Sequence, residues 1–66
     1  MQNGTVRWYD EEKGFGFIIP DAGGRDVYFL FSNVESENHE ISNNQRVEFE
    51  ITLGRKGPEA IHIRPL

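Results

Sequence analysis

Aromatic residues recur at alternate positions in two short segments of this chain of 66 residues. The first segment reads KGFGFI at positions 13–18, and the second reads VYFLF at positions 27–31. Successive side chains of an extended strand point to opposite faces. Phe15 and Phe17 therefore share one face of the first segment, and Tyr28 takes one face of the second. This alternation predicts two strands, each with a ring-bearing face.

The hydrophobic core must lie on the other face of these strands. If Ile18, Val27 and Phe29 form that core, the rings on the opposite face stand in solvent. With Lys13 and Arg7 beside them, such rings are typical of a platform on which unpaired nucleobases stack. The same rings also suit a second hydrophobic cluster or a protein interface.

Turn signals recur along the chain, and no segment shows sustained helical periodicity. Alternating segments predict strands at residues 5–9, 14–19, 26–31, 46–53 and 60–64. The fourth strand is the clearest, and we expect its buried face to comprise Val47, Phe49, Ile51 and Leu53. Between the third and fourth strands, Val34 and Ile41 are the apolar anchors of a turn and a long loop. The chain is therefore predicted to be all-β.

Two local departures from a plain strand are expected. Strict alternation would bury Trp8 together with Val6, so we expect a bend after Arg7 that turns both Trp8 and Tyr9 toward the surface. In the second strand, Gly14 and Gly16 occupy the inner face. Small residues there allow a sheet to coil tightly into a barrel, where larger side chains would crowd.

The length allows one small domain of marginal stability, spanning residues 1–66. The 11 acidic and 7 basic residues give a net charge of −4, so affinity for nucleic acid must be local. Cysteine is absent, which fits a reducing cytoplasm. No apolar run approaches the roughly 20 residues of a membrane span, and the N-terminus has no signal-peptide pattern. We expect a soluble cytoplasmic protein with no membrane partner.

Five short strands at this spacing fit a small closed barrel of the OB type, which presents its second and third strands to oligonucleotides. An SH3-like barrel has the same number of strands and stays open as an alternative. The serines lack a neighbouring base and orienting group, and the acidic pairs lie in loops, so nothing supports an enzyme. His39 and His62 lack neighbouring ligands at metal spacing, and we expect neither a metal nor a cofactor.

The two aromatic segments together resemble the bacterial cold-shock protein family, and the similarity extends over essentially the whole chain. GTVRWYD resembles the family's first strand, QRVEFEI its fourth strand and GRKGPEA its last hairpin turn. The resemblance implies one cold-shock domain, a five-stranded antiparallel Greek-key barrel that binds single-stranded RNA or DNA. It further implies an ATP-independent RNA chaperone that regulates transcription or translation in the cold-shock response.

The resemblance also implies which residues meet the nucleic acid. Carried over by position, they are Arg7, Trp8, Tyr9, Lys13, Phe15, Phe17, Asp26, Tyr28, Leu30, Phe31, His39, Lys56 and Pro58. Tyr9 and Tyr28 replace the usual phenylalanine and keep the ring, and His39 replaces an aromatic loop residue. Leu30 replaces a histidine, so a flat stacking group is lost. Asp10 replaces a common asparagine and adds negative charge to this surface.

Every base has a π-face, so we expect modest sequence preference, with pyrimidine-rich single strands favoured. A monomer is expected, and strand exchange into a dimer stays open. The alternative function is a protein-interaction module that uses the same aromatic face, and the net negative charge favours it.

Overall fold

The computed structural model describes residues 1–36, 41–55 and 57–66. The strands are β1 (Gln2–Asp10), β2 (Phe15–Pro20), β3 (Val27–Leu30), β4 (Arg46–Gly54) and β5 (Gly57–Pro65), with a short 3-10 helix (Phe31–Asn33) after β3. Each predicted strand is present. β1 and β5 begin earlier than the alternation predicts, and β3 ends one residue sooner because Phe31 starts the short helix.

The strands form a closed barrel in the order β1-β2-β3-β5-β4, in which β4 also pairs with β1. The predicted five-stranded barrel is confirmed. Its pairings are antiparallel except between β3 and β5, which run parallel with Tyr28 opposite Glu59 and Phe29 opposite Ala60. This exception arises because the connection after β3 takes the chain to the far side of β1. β4 then runs antiparallel to β1, and β5 returns beside β3 in the same direction.

One hydrophobic core fills the barrel, and Phe29 and Phe49 are its largest fully buried side chains. The predicted core residues Ile18, Val27 and Phe29 are buried, and so are the loop anchors Val34 and Ile41, with the other members Val6, Val47, Ala60 and Ile63. Burial of a side chain such as Phe29 contributes about 1.5–3 kcal/mol. The core therefore holds the inner faces of the strands together and leaves the outer faces available.

The second half of β4 was expected to be buried, and this prediction is wrong. Ile51 is 40% exposed and Leu53 is 85% exposed, whereas Phe49 is fully buried. Pairing of β4 with β1 ends at Phe49, and the ladder with β5 shifts its register between Glu48 and Glu50. Beyond that point β4 pairs with β5 alone, so the hairpin extends past the core and its apolar side chains face solvent.

Backbone irregularities position the first two strands. The register between β1 and β2 shifts between Val6 and Trp8, which is the bend expected after Arg7. A Cβ atom on Gly16 would lie 2.5 Å from the carbonyl oxygen of Trp8, so only glycine fits where the strands approach. Gly14 was expected on the inner face of β2, and this prediction is wrong because β2 begins at Phe15. It belongs to the preceding turn with φ +74°, a left-handed conformation that favours glycine.

Exposed ion pairs tie loops to the barrel. The Arg46 guanidinium donates to both carboxylate oxygens of Asp21, at 2.7 and 2.6 Å, and to the Thr5 hydroxyl at 3.1 Å. This bidentate pair lowers the pKa of the Asp21 carboxyl below its usual value. The Arg46 contacts therefore connect β4 across β1 to the loop that follows β2.

A second set of contacts joins the segment after the short helix to β5. Glu35 lies 2.6 Å from Nδ1 of His62 and accepts a hydrogen bond of 3.0 Å from Nε of Arg64. The hydrogen bond with His62, followed by that from Arg64, lowers the pKa of the Glu35 carboxyl. His62 is exposed, and its φ of 50° is in the left-handed region.

Candidate nucleic-acid interface

Four aromatic rings lie together on the outer face of β1, β2 and β3, and we call them the aromatic surface: Trp8, Phe15, Phe17 and Tyr28. Phe17 is the register partner of both Trp8 and Tyr28, so neighbouring strands hold the rings side by side. Ring centroids of neighbours lie 5.5 to 6.2 Å apart. The alternation of the sequence correctly predicts this common face for Phe15, Phe17 and Tyr28, and the bend after Arg7 brings Trp8 to it.

The rings of the aromatic surface shield one another. Phe15, Phe17 and Tyr28 are half-buried, although the sequence predicted that they stand in solvent. Phe15 meets Trp8 edge to face, and Phe17 meets Tyr28 in the same way. Contacts of this kind contribute about 0.5–1.5 kcal/mol beyond the area they bury. The rings are therefore held in place before any ligand arrives, while Trp8 stays 45% exposed.

Tyr9 and Phe31 lie apart from the aromatic surface. Both are partly buried and pack against the core, with ring centroids 5.4 Å from each other. Phe31 also stacks on the buried Phe29 at 6.1 Å. The expected outward turn therefore holds for Trp8 but only in part for Tyr9. Phe31, which the family resemblance places among the nucleic-acid ligands, packs against the core.

Charged side chains border the aromatic surface. Arg7 is exposed and lies 3.5 Å from the carboxylate of Asp26, so two predicted ligand residues pair with each other. Lys13 is in the turn between β1 and β2, where its backbone N–H donates to Oδ1 of Asp10. Asp10 also accepts from the backbone of Glu12, so this carboxylate stabilises the turn that carries Lys13.

A groove of about 490 Å³ begins at the aromatic surface and continues across the barrel. It is lined by Gln2, Phe15, Phe17, Pro20, Gly23, Arg25, Asp26, Val27, Tyr28, Ile51 and Pro58. The groove brings Pro58, carried over from the family resemblance, beside Phe15, Phe17 and Tyr28. Ile51 joins it because β4 leaves the core early, which the alternation of that strand could not indicate.

Leu30 lies on the outer face of β3, two residues after Tyr28, and is 36% exposed. It lines a smaller hollow of about 370 Å³ with Tyr28, Gly54, Arg55 and Glu59. We call this the Tyr28 hollow. Sequence reasoning missed Glu59 and Gly54, although the parallel pairing of β3 with β5 makes Glu59 a neighbour of Tyr28. The other two predicted ligand residues, His39 and Lys56, lie outside the described residues.

Within residues 1–36, 41–55 and 57–66, no group of three or more histidine or acidic residues is placed to hold a metal ion. In the same part of the chain, no helix has the length and apolar character needed to cross a membrane. The features that stand out are the aromatic surface and its two concavities.

A closed five-stranded barrel with rings on the outer face of β2 and β3 has the architecture of the OB class. The family model of the 'Cold-shock' DNA-binding domain matches residues 2–66. The chain therefore belongs to the cold-shock domain family, as the aromatic segments predicted, and its class is that of nucleic-acid-binding cold-shock proteins.

Relatives over the full length are similar to this chain. Cold shock protein ScoF of Streptomyces coelicolor is 48% identical over 66 residues, covering 98% of each chain. Cold shock-like protein CspA of Bordetella pertussis is 43% identical over 67 residues, with complete coverage of both. The solved structure of drosophila Unr CSD456 has a TM-score of 0.84 at 31% identity. It covers 98% of this chain, which spans only 26% of that larger chain.

Proposed function

We propose that this protein binds single-stranded RNA or DNA by stacking unpaired bases on the aromatic surface. The observation that carries the proposal is the set of adjoining rings on β1, β2 and β3, with Trp8 the most exposed of them. Each stacked base contributes about 1–3 kcal/mol, and a base in a duplex cannot offer its face to such a surface. Arg7, Lys13 and Lys56 are proposed to meet the phosphates, and Pro58 and Leu30 to contact bases.

Such binding would make the protein an ATP-independent RNA chaperone. A ligand that binds only unpaired strands shifts the equilibrium of a weak hairpin toward its open form by mass action. No catalytic step is required. Through the same shift, the protein would influence transcription or translation in a cold-shock response, when weak secondary structure becomes more stable.

We also propose which strands this protein prefers, how it is assembled and where it acts. Pyrimidine-rich strands are favoured because their weak self-stacking leaves the bases available. Asp26 acts by holding Arg7 through the contact at 3.5 Å, and Tyr9 and Phe31, which pack against the core, support the strands that carry the rings. We expect a monomer in the cytoplasm, with strand exchange into a dimer as the open alternative.

Fluorescence of Trp8, the single tryptophan, tests the proposal directly. Titration with a pyrimidine-rich single strand should quench the emission, and a duplex of the same length should change it little. Equal responses to both would reject stacking on unpaired bases. No response to either, together with retention of a protein partner by the same surface, would favour the protein-interaction module instead.

A further inference from the structure

The Tyr28 hollow places a stacking ring beside a carboxylate. Tyr28 and Glu59 are register partners in the parallel pairing of β3 with β5, so their side chains leave the same outer face. The Glu59 side chain extends over Gly54, where a Cβ atom would lie 3.0 Å from Oε1 of Glu59. Because Gly54 has no side chain, the Glu59 carboxylate can lie over it, in the hollow that Tyr28 also lines.

The Glu59 carboxylate has unused capacity to accept hydrogen bonds. In the part of the chain that the structure describes, no hydrogen bond or ion pair engages the side chain of Glu59, although the residue is half-buried. An ionised carboxylate only accepts, and the guanidinium of Arg55, which also lines the hollow, only donates. A ligand that fits this wall must present a donor toward Glu59 and an acceptor toward Arg55.

Cytosine and uracil, the two RNA pyrimidines, differ in the hydrogen-bond donors and acceptors that they present. Cytosine carries an exocyclic amino group that donates, next to a ring nitrogen and a carbonyl oxygen that accept, and carboxylates are known acceptors from that amino group. Uracil has a carbonyl oxygen in place of the amino group. Its single N–H lies between two carbonyl oxygens, which face the carboxylate unfavourably. Glu59 and Arg55 are complementary to cytosine.

We propose that Glu59 is a specificity-determining residue, which makes the base stacked on Tyr28 one with an exocyclic amino group, namely cytosine rather than uracil. The inference rests on the proposed function, because it requires a base on the Tyr28 ring. Stacking alone accepts both pyrimidines and gives little discrimination. A single hydrogen bond of ordinary net strength would favour cytosine by about three- to tenfold.

The test compares oligocytidine with oligouridine of equal length at one salt concentration near pH 7, with Trp8 fluorescence as the readout. We expect the wild-type protein to bind oligocytidine about three- to tenfold more tightly. In Glu59→Gln, the amide offers both a donor and an acceptor, so the two dissociation constants should become nearly equal. The ratio of the constants is decisive, because loss of a negative charge strengthens binding of both strands alike.

Glu50→Gln is the matched control. Glu50 lies on β4 opposite Ile61, two register pairs along the ladder from the pair of Thr52 with Glu59, and it does not line the hollow. This variant loses the same charge nearby and should keep the preference for oligocytidine. A wild-type ratio near one, or a ratio unchanged by Glu59→Gln, would overturn the role of Glu59 while leaving stacking intact. Failure of both strands to bind would reject the proposed function as well.

Discussion

Trp8 and Phe17 are register partners across β1 and β2, and their rings stack with centroids 6.2 Å apart and planes inclined by 28°. The register shift after Val6 creates this pair, because unbroken alternation would bury Trp8. Phe17 also adjoins Phe15 and Tyr28, so it contacts each of the other three rings of the aromatic surface, as Phe15 does. Loss of this ring should affect every neighbouring stack.

Phe17→Ala should therefore weaken oligonucleotide binding by about 1–3 kcal/mol, with the fold retained. Phe15→Ala and Tyr28→Ala should act in the same direction. Titration of Trp8 fluorescence measures the affinity, and thermal unfolding measures the stability. The contrasting variant is Phe49→Ala, which removes a fully buried ring and should cost about 3–5 kcal/mol of stability. If Phe17→Ala unfolds the barrel instead, its ring supports the core rather than a ligand.

Leu30→His should strengthen binding of single strands by a fraction of the roughly 1–3 kcal/mol of a full stack. The imidazole would add a flat face beside Tyr28, whereas the leucine now offers only apolar contact. Stability should change little because the position is on the outer face. The test measures the affinity of Leu30→His and of the wild-type protein for the same single-stranded oligonucleotide at one salt concentration. Weaker or equal binding by the variant would place Leu30 outside the path of the nucleic acid.

Leu53→Thr should leave the free energy of unfolding within about 0.5 kcal/mol of the wild-type value, because the side chain is 85% exposed. Threonine is β-branched and suits a strand. Chemical denaturation of the two proteins provides the measurement, with Phe49→Ala as the destabilised reference on the same strand. A loss above about 1 kcal/mol would mean that Leu53 packs against other residues in solution.

Acid should weaken the tie between the short helix and β5. Contacts with His62 and Arg64 hold the pKa of Glu35 below its ordinary value of 4.5. A lowered folded-state pKa stabilises the fold above the unfolded value, and this stabilisation is lost as pH falls from about 4.5 through the folded-state pKa. Glu35→Gln should thus melt earlier than wild type at neutral pH, and the gap in Tm should close below that range. A gap that persists in strong acid would assign the effect to packing.

Sequence periodicity predicts features that depend on neighbours along the strand. The outward face of Phe15 and Phe17 and the burial of Phe29 follow from the alternation of side chains, and both are observed. The same rule fails at Leu53, because burial there depends on whether another strand covers β4. Pairing between distant segments decides that question, and period-two alternation is identical in a covered and an uncovered strand.

The candidate site likewise has residues that local motifs predict and residues that only the pairing of distant strands brings together. Family resemblance identified the rings, since their positions follow from two local motifs. The pairing of Tyr28 with Glu59 could not be predicted, because the strands are far apart in sequence and parallel in the barrel. Turn chemistry explains another error. Gly14 looks like a strand residue by spacing, but its φ of +74° belongs to the turn closed by Asp10.

The parallel pairing of β3 with β5 also concerns the lifetime of the closed barrel. In the described residues, two register pairs, at Tyr28 and Phe29, join these strands, whereas antiparallel ladders join their other neighbours. This seam is where the barrel can open most readily by local unfolding. A base that contacts both Tyr28 and Glu59 would bridge β3 and β5 at this seam. Occupancy by nucleic acid should then slow hydrogen exchange of the amides along β5, including those beyond Glu59 that the ligand does not contact.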